Sequence, residues 1–114
     1  MSRRGFLALA LVVVACATSR RGLPLTSPPA LTTESALRGR HVFQVNCYRC
    51  HPGGRAGLGP GLNNKPLPEA ALRLQVRRGV GAMPGFTHAA LSNRELDDLM
   101  AYLFALRGSP RGKR

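Results

Sequence analysis

The sequence predicts an all-α domain of three main helices joined by loops rich in glycine and proline. Three observations predict it. Apolar residues recur at three- and four-residue spacing in separate stretches of the chain. The connection after the first stretch, "HPGGRAGLGPGLNNKP" at residues 51–66, holds too much Gly and Pro for a helix or a strand. No stretch reads convincingly as a strand, and no internal repeat is present. At 114 residues the chain has room for one small domain.

The first helix is expected to start at Thr33, an N-cap residue, with Glu34 favourably placed against the positive end of the helix dipole. Ala36, Gly39, Phe43 and Cys47 follow at three- and four-residue intervals and share one face. The second runs from about Pro68 to Arg78, with proline suited to the first helical position and Gly79 as the stop. The third is the best marked. "SNRE" at residues 92–95 is a capping box, in which the serine hydroxyl and the glutamate carboxylate satisfy backbone donors reciprocally. Leu91 and Leu96 hold the positions of a hydrophobic staple, and Leu99, Met100, Leu103 and Leu106 continue the stripe. Gly108 and Pro110 are expected to end this helix, leaving residues 109–114 as a basic tail.

Ahead of the helices, residues 1–16 read "MSRRGFLALALVVVAC". Arg3 and Arg4 precede an apolar run over 5–15 that is too short to span a bilayer, the pattern of a cleaved export signal. "VVAC" at its end resembles a bacterial lipobox, which makes Cys16 the expected acylation site and first mature residue. "SRRGFL" at residues 2–7 also matches the core of a twin-arginine signal, although the general secretory route suits a chain that crosses unfolded. Residues 17–33 contain Pro24, Pro28 and Pro29 without apolar periodicity and are expected to form a flexible tether. These 17 residues reach roughly 23 Å as coil and about 53 Å in a polyproline conformation. The expected organisation is therefore signal 1–15, lipid-anchored tether 16–33, folded domain 34–108 and tail 109–114, at the extracytoplasmic side of a membrane.

The formal charge is +12, and removal of residues 1–15 with Arg3 and Arg4 leaves +10. No nucleic-acid-reading motif accompanies this charge, and export argues against such a role. An acidic protein partner or an anionic lipid surface is the expected counterpart.

Three short helices and a long glycine loop bury little apolar surface. Domains this small need a disulfide, a metal or a cofactor to complete their core. "CYRCH", residues 47–51, offers one. A structural zinc site needs four ligands, and no second pair at the usual spacing accompanies Cys47, Cys50 and His51. A thioredoxin-like pair expects a βαβ context that is missing here. A plain disulfide between residues three apart leaves the histidine unexplained. Covalent haem uses all three residues: two thiols add across the haem vinyl groups, and the adjacent imidazole binds iron from one side. The expectation is one haem c per chain. Met83, in "GVGAMPGF" at residues 79–86, is the candidate second axial ligand, a soft thioether placed where helical packing does not account for it. Met100 reads as core, and His41 and His88 as surface histidines.

With these motifs in order, residues 35–107 resemble a class I c-type cytochrome. "GRHVFQVNCYRCH" is similar to the family's first helix, "RRGVGAMPGF" to the segment carrying the axial methionine, and "ELDDLMAYLFALR" to the terminal helix. The resemblance implies the small cytochrome c fold, with Tyr102 near Gly39 where two helices cross. It also implies that "GLGPGL" supplies a proline carbonyl, that of Pro60, to the Nδ1–H of His51. Asn63, Asn64, Lys65 and Arg73 are candidates to meet the haem propionates. The implied function is single-electron transfer with redox proteins, with no catalysis and no small-molecule substrate. Arg40, Arg49, Arg55 and Arg78 are candidates to steer an acidic docking partner. The same chemistry would serve in a haem subunit of a larger membrane-bound oxidoreductase. A ligand-binding or catalytic haem would require Met83 to be off the iron.

Overall fold

Thr33 Oγ1 accepts a hydrogen bond from the Ala36 N–H at 3.1 Å and starts α1, Glu34–Asn46. In this computed structural model, which describes residues 24–109, α1 is followed by a single 3-10 turn at Pro52–Gly54, then α2, Glu69–Arg78, and α3, Asn93–Gly108. The architecture is all-α, and no strand forms among the described residues. Pro68 stands at the N-cap of α2, and Gly79 ends it at φ 70°, a conformation that residues carrying a Cβ rarely adopt. At the start of α3 the capping box is complete: Ser92 Oγ accepts from the Glu95 N–H at 3.2 Å, and Glu95 Oε2 accepts from the Ser92 N–H at 2.7 Å. The Ser92 bonds hold the Glu95 carboxyl below the usual carboxylate range. Leu91 and Leu96, the staple pair, are both buried.

α1 packs chiefly on α3, and α2 makes a smaller contact with α3. At the crossing, a Cβ on Gly39 would overlap the Asp98 carbonyl and come within 2.9 Å of Tyr102 Cβ, so only glycine permits the approach. The Phe43 and Tyr102 rings meet there with centroids 5.2 Å apart and planes tilted by 54°. Around them Val42, Leu72, Val76, Leu99, Met100, Leu103 and Leu106 complete the buried cluster. Each such side chain is worth about 1.5–3 kcal/mol relative to leaving it in water. One polar knot is built into the crossing. Asp98 accepts from Ser35 Oγ at 2.6 Å and from two nitrogens of Arg38 at 2.8 and 3.0 Å. Chiefly through the Arg38 bond, its carboxyl is held below the usual range.

Two expectations shift at the edges. α3 runs through Gly108 and is closed by Ser109, whose Oγ donates to the Ala105 carbonyl at 2.9 Å; a glycine at the final helical position does not break the ladder when the next residue caps it. Ser109 is buried and belongs to the domain rather than the tail. Residues 24–33 are non-helical before the Thr33 cap, and Leu25 and Leu31 pack against the buried cluster. Two leucines among prolines gain more from that surface than from water. The signal at 1–15, the Cys16 acylation site, the rest of the tether and residues 110–114 lie outside the described residues. Among the described residues no helix is long and apolar enough to cross a membrane.

Candidate functional site

The last turn of α1 delivers the site. The Cys47 N–H bonds the Phe43 carbonyl at 2.8 Å, and the Cys47 carbonyl then accepts from both the Cys50 N–H, at 3.1 Å, and the His51 N–H, at 2.9 Å. This closed turn gathers two thiols and one imidazole within five residues. Both cysteines are free and half-buried. Burial pushes the free Cys47 thiol up to about 11, with the neighbouring Cys50 adding to the effect. His51 itself is buried.

Past the 3-10 turn, the glycine loop folds back over the imidazole. The Gly59 N–H bonds the Cys50 carbonyl at 3.0 Å, and the Gly57 N–H bonds the Gly59 carbonyl at 2.9 Å. The His51 ring lies against Gly59 so closely that a Cβ there would overlap Cε1 and stand 2.9 Å from both ring nitrogens. His51 Nδ1 is 2.8 Å from the Pro60 carbonyl oxygen. A carbonyl only accepts, so this bond requires the proton on Nδ1 and leaves the lone pair on Nε2. The loop is pinned in turn by the Leu62 and Asn63 N–H groups, which bond the Gly54 carbonyl at 2.7 and 3.1 Å.

Met83 stands in the loop between α2 and α3. Val80 and Met83 exchange backbone bonds of 3.1 and 2.9 Å in a tight turn, and the Phe86 N–H returns to the Val76 carbonyl at 2.9 Å. Met83 and Cys47 are both half-buried and abut the same core cluster. Arg77, which sequence reasoning did not single out, holds this loop. Its Nη1 donates to the carbonyls of Phe86, at 3.1 Å, Thr87, at 3.3 Å, and Leu91, at 2.6 Å, while Nη2 donates to Asn93 Oδ1 at 2.9 Å. No local motif announces such a residue, because its partners lie 9–16 positions away. Gly59 was likewise passed over, although its place in "GLGPGL" was a usable signal.

The remaining candidates separate clearly. His41 and His88 are exposed, and Met100 is in the core. Asn63 is fully buried, and Arg73 is engaged by Glu69 and Asp97, each at 2.7 Å, which leaves it poorly placed for a propionate. Arg40, Arg49, Arg55 and Arg78 are all exposed. Among the described residues no group of three or more Cys, His, Asp or Glu side chains converges as a metal cage. The donor set fits haem c instead: two thiols on one turn, an imidazole ring seated on Gly59 with Nε2 in its lone-pair form, and a thioether on a braced loop.

Comparison with known proteins agrees with this chemistry. Residues 34–103 match the family model described as "Cytochrome C oxidase, cbb3-type, subunit III". The chain is similar to chloroplastic cytochrome c6 of Chlamydomonas reinhardtii, at 33% identity over 80% of this chain and 78% of the relative. It is similar to cytochrome c6 of Bryopsis maxima, at 36% identity over 58% of this chain and 85% of the relative. A third relative is the cytochrome c subunit of 4-cresol dehydrogenase [hydroxylating] from Pseudomonas putida, at 34% identity over 60% of this chain and 59% of the relative. No solved structure matches significantly.

Proposed function

Because the chain belongs to the c-type cytochrome family, we propose that it is a single-electron carrier with His/Met axial ligation, held at the extracytoplasmic face of a bacterial membrane by acylated Cys16. The chain carries one covalently bound haem c. When bound, that group supplies a one-electron ferrous–ferric couple. Cys47 and Cys50 hold its edge through their sulfurs. His51 Nε2 and the Met83 sulfur would be the protein ligands to its iron.

The observation that carries this reading is the His51 Nδ1–H bond to the Pro60 carbonyl. It holds the ring's orientation and tautomer, both of which an axial imidazole needs, and raises the basicity of Nε2. Gly59 excludes any side chain that would tilt the ring. Arg77 keeps the Met83 loop closed by binding three of its carbonyls. Ligation by both His51 and Met83 would leave the iron no open position for a substrate, which would suit a carrier. The exposed Arg40, Arg49, Arg55 and Arg78 favour an acidic redox partner, with association that weakens as salt rises.

Carbon monoxide tests the reading. Reduced holoprotein should bind it slowly or not at all, and the oxidised form should show the weak far-red absorption of an iron–sulfur bond. Rapid, tight binding without that band would remove Met83 from the iron and with it the carrier function. A second reading, a haem subunit of a larger oxidoreductase, is favoured by the family model's description and by the Pseudomonas putida relative. Co-purification with a larger enzyme in mild detergent would select it.

A further inference from the structure

The loop that carries Met83 has little side-chain packing of its own. Val80, Gly81, Ala82 and Pro84 are exposed, and Met83 and Phe86 are the loop residues that pack against the buried cluster. Its position therefore depends on main-chain contacts with the end of α2 and on Arg77. Two glycines make the main-chain contacts possible. A Cβ on Gly85 would stand 2.7 Å from the Arg77 carbonyl oxygen and 2.9 Å from the carbonyl carbon and oxygen of Arg78. A Cβ on Gly79 would overlap the Met83 carbonyl oxygen and stand 2.7 Å from the Gly85 nitrogen and the Pro84 carbonyl carbon. The backbone of residues 83–85 thus lies directly on the backbone of residues 77–79. Every atom in the way is main chain, so none can swing aside as the end of a long side chain would.

The two positions differ in what they demand. Gly79, at φ 70° and ψ 174°, occupies a region open essentially to glycine alone, so a substitution there changes torsion and contact together. Gly85 does not take a positive φ, so alanine at 85 changes the contact alone. Hydrogen bonds bracket that contact: Val80 and Met83 are paired on one side of it, and the Phe86 N–H holds the Val76 carbonyl at 2.9 Å on the other. A loop lifted by one added carbon would strain both.

From this geometry we infer that Gly85 and Gly79 are positioning residues for Met83. They form a main-chain latch that lets the loop close on the end of α2, and closure keeps the thioether available to iron. The inference rests on the reading of Met83 as the second axial ligand and deepens it: retention of that ligand depends on two side chains being absent. Gly81 supplies the contrast within the same loop. It has φ 56° with nothing within 4 Å of a Cβ, and asparagine tolerates a positive φ better than other side chains do.

The test compares wild-type, Gly85→Ala, Gly81→Asn and Asp98→Asn holoproteins. Asp98→Asn weakens the α1–α3 crossing at Arg38 and reports what lost stability alone does. Wild-type protein should show the far-red iron–sulfur band and bind carbon monoxide slowly; absence of the band would remove Met83 from the iron, and the inference would fall with that reading. Where the band is present, Gly85→Ala should weaken it and lower the reduction potential. The same variant should raise the carbon monoxide binding rate of the reduced protein about fivefold, the equivalent of one backbone hydrogen bond. Gly81→Asn and Asp98→Asn should keep the band and the wild-type rate. An intact band in Gly85→Ala, or equal changes in all three variants, would overturn the latch while leaving Met83 on the iron. Amide hydrogen exchange of the wild-type holoprotein needs no variant: the Met83 and Phe86 amides should be protected and exchange together, through one opening of the loop. Unprotected exchange at either amide would also overturn the inference.

Discussion

The Asp98 carbonyl and Tyr102 Cβ occupy the space that a side chain on Gly39 would fill. α1 and α3 therefore touch backbone to backbone at one point, and the buried face of α1 is positioned from there. Gly39→Ala must push the helices apart, and the expected loss is roughly 3 kcal/mol, at the upper end for overpacking a core. Gly108→Ala provides the contrast. Nothing lies within 4 Å of a Cβ at that position, in the last turn of α3. The gain in helix propensity there is at most about 1 kcal/mol. Urea unfolding of the two holoproteins, followed by far-UV circular dichroism, should give shifts of opposite sign.

Asp98 predicts an acid limit. Its carboxyl is buried and held below the usual range, first by the Arg38 bond and then by Ser35. A carboxylate with a lowered folded-state pKa adds stability that is fully present above the ordinary carboxylate range and is lost as pH falls through the folded value. Stability should therefore be flat near neutrality and decline below about pH 4. Asp98→Asn should be less stable at pH 7 and show a shallower acid decline. Thermal unfolding from pH 7 to pH 3 reads both, and an unchanged slope in the variant would place the acid-sensitive group elsewhere.

Arg77 predicts a loop effect that global stability does not report. Arg77→Lys keeps a cation but cannot reach three carbonyls and the Asn93 side chain at once. A hydrogen bond from a charged group is worth about 1.5–3 kcal/mol. Losing one or two of them should raise the carbon monoxide binding rate of the reduced protein by roughly tenfold, through more frequent opening of the Met83 loop. The far-red band should weaken in parallel. A variant that unfolds earlier yet binds carbon monoxide no faster would make Arg77 a structural residue only.

What was legible in the sequence was what adjacent residues decide. The Thr33 cap, the 92–95 capping box and the Gly79 stop each involve groups within four positions, and each formed as expected. Gly108 was read as a stop because glycine favours the position after a helix, but Ser109 had a carbonyl to bond and carried the cap one residue on. The Arg38–Asp98 pair spans 60 positions and the Arg77 contacts up to 16, and no spacing rule encodes either. The docking of Leu25 and Leu31 was hidden for the same reason. Composition marks a proline-rich segment as irregular, but it does not say whether the segment lies on something.

What Pro60 gives His51 is a main-chain oxygen, and no replacement of the proline side chain can delete it. A mutational scan reading only position 60 would therefore score it as forgiving while the contact persisted beneath every tolerated letter. Intolerance would surface one residue earlier, at Gly59, where any added carbon meets the imidazole.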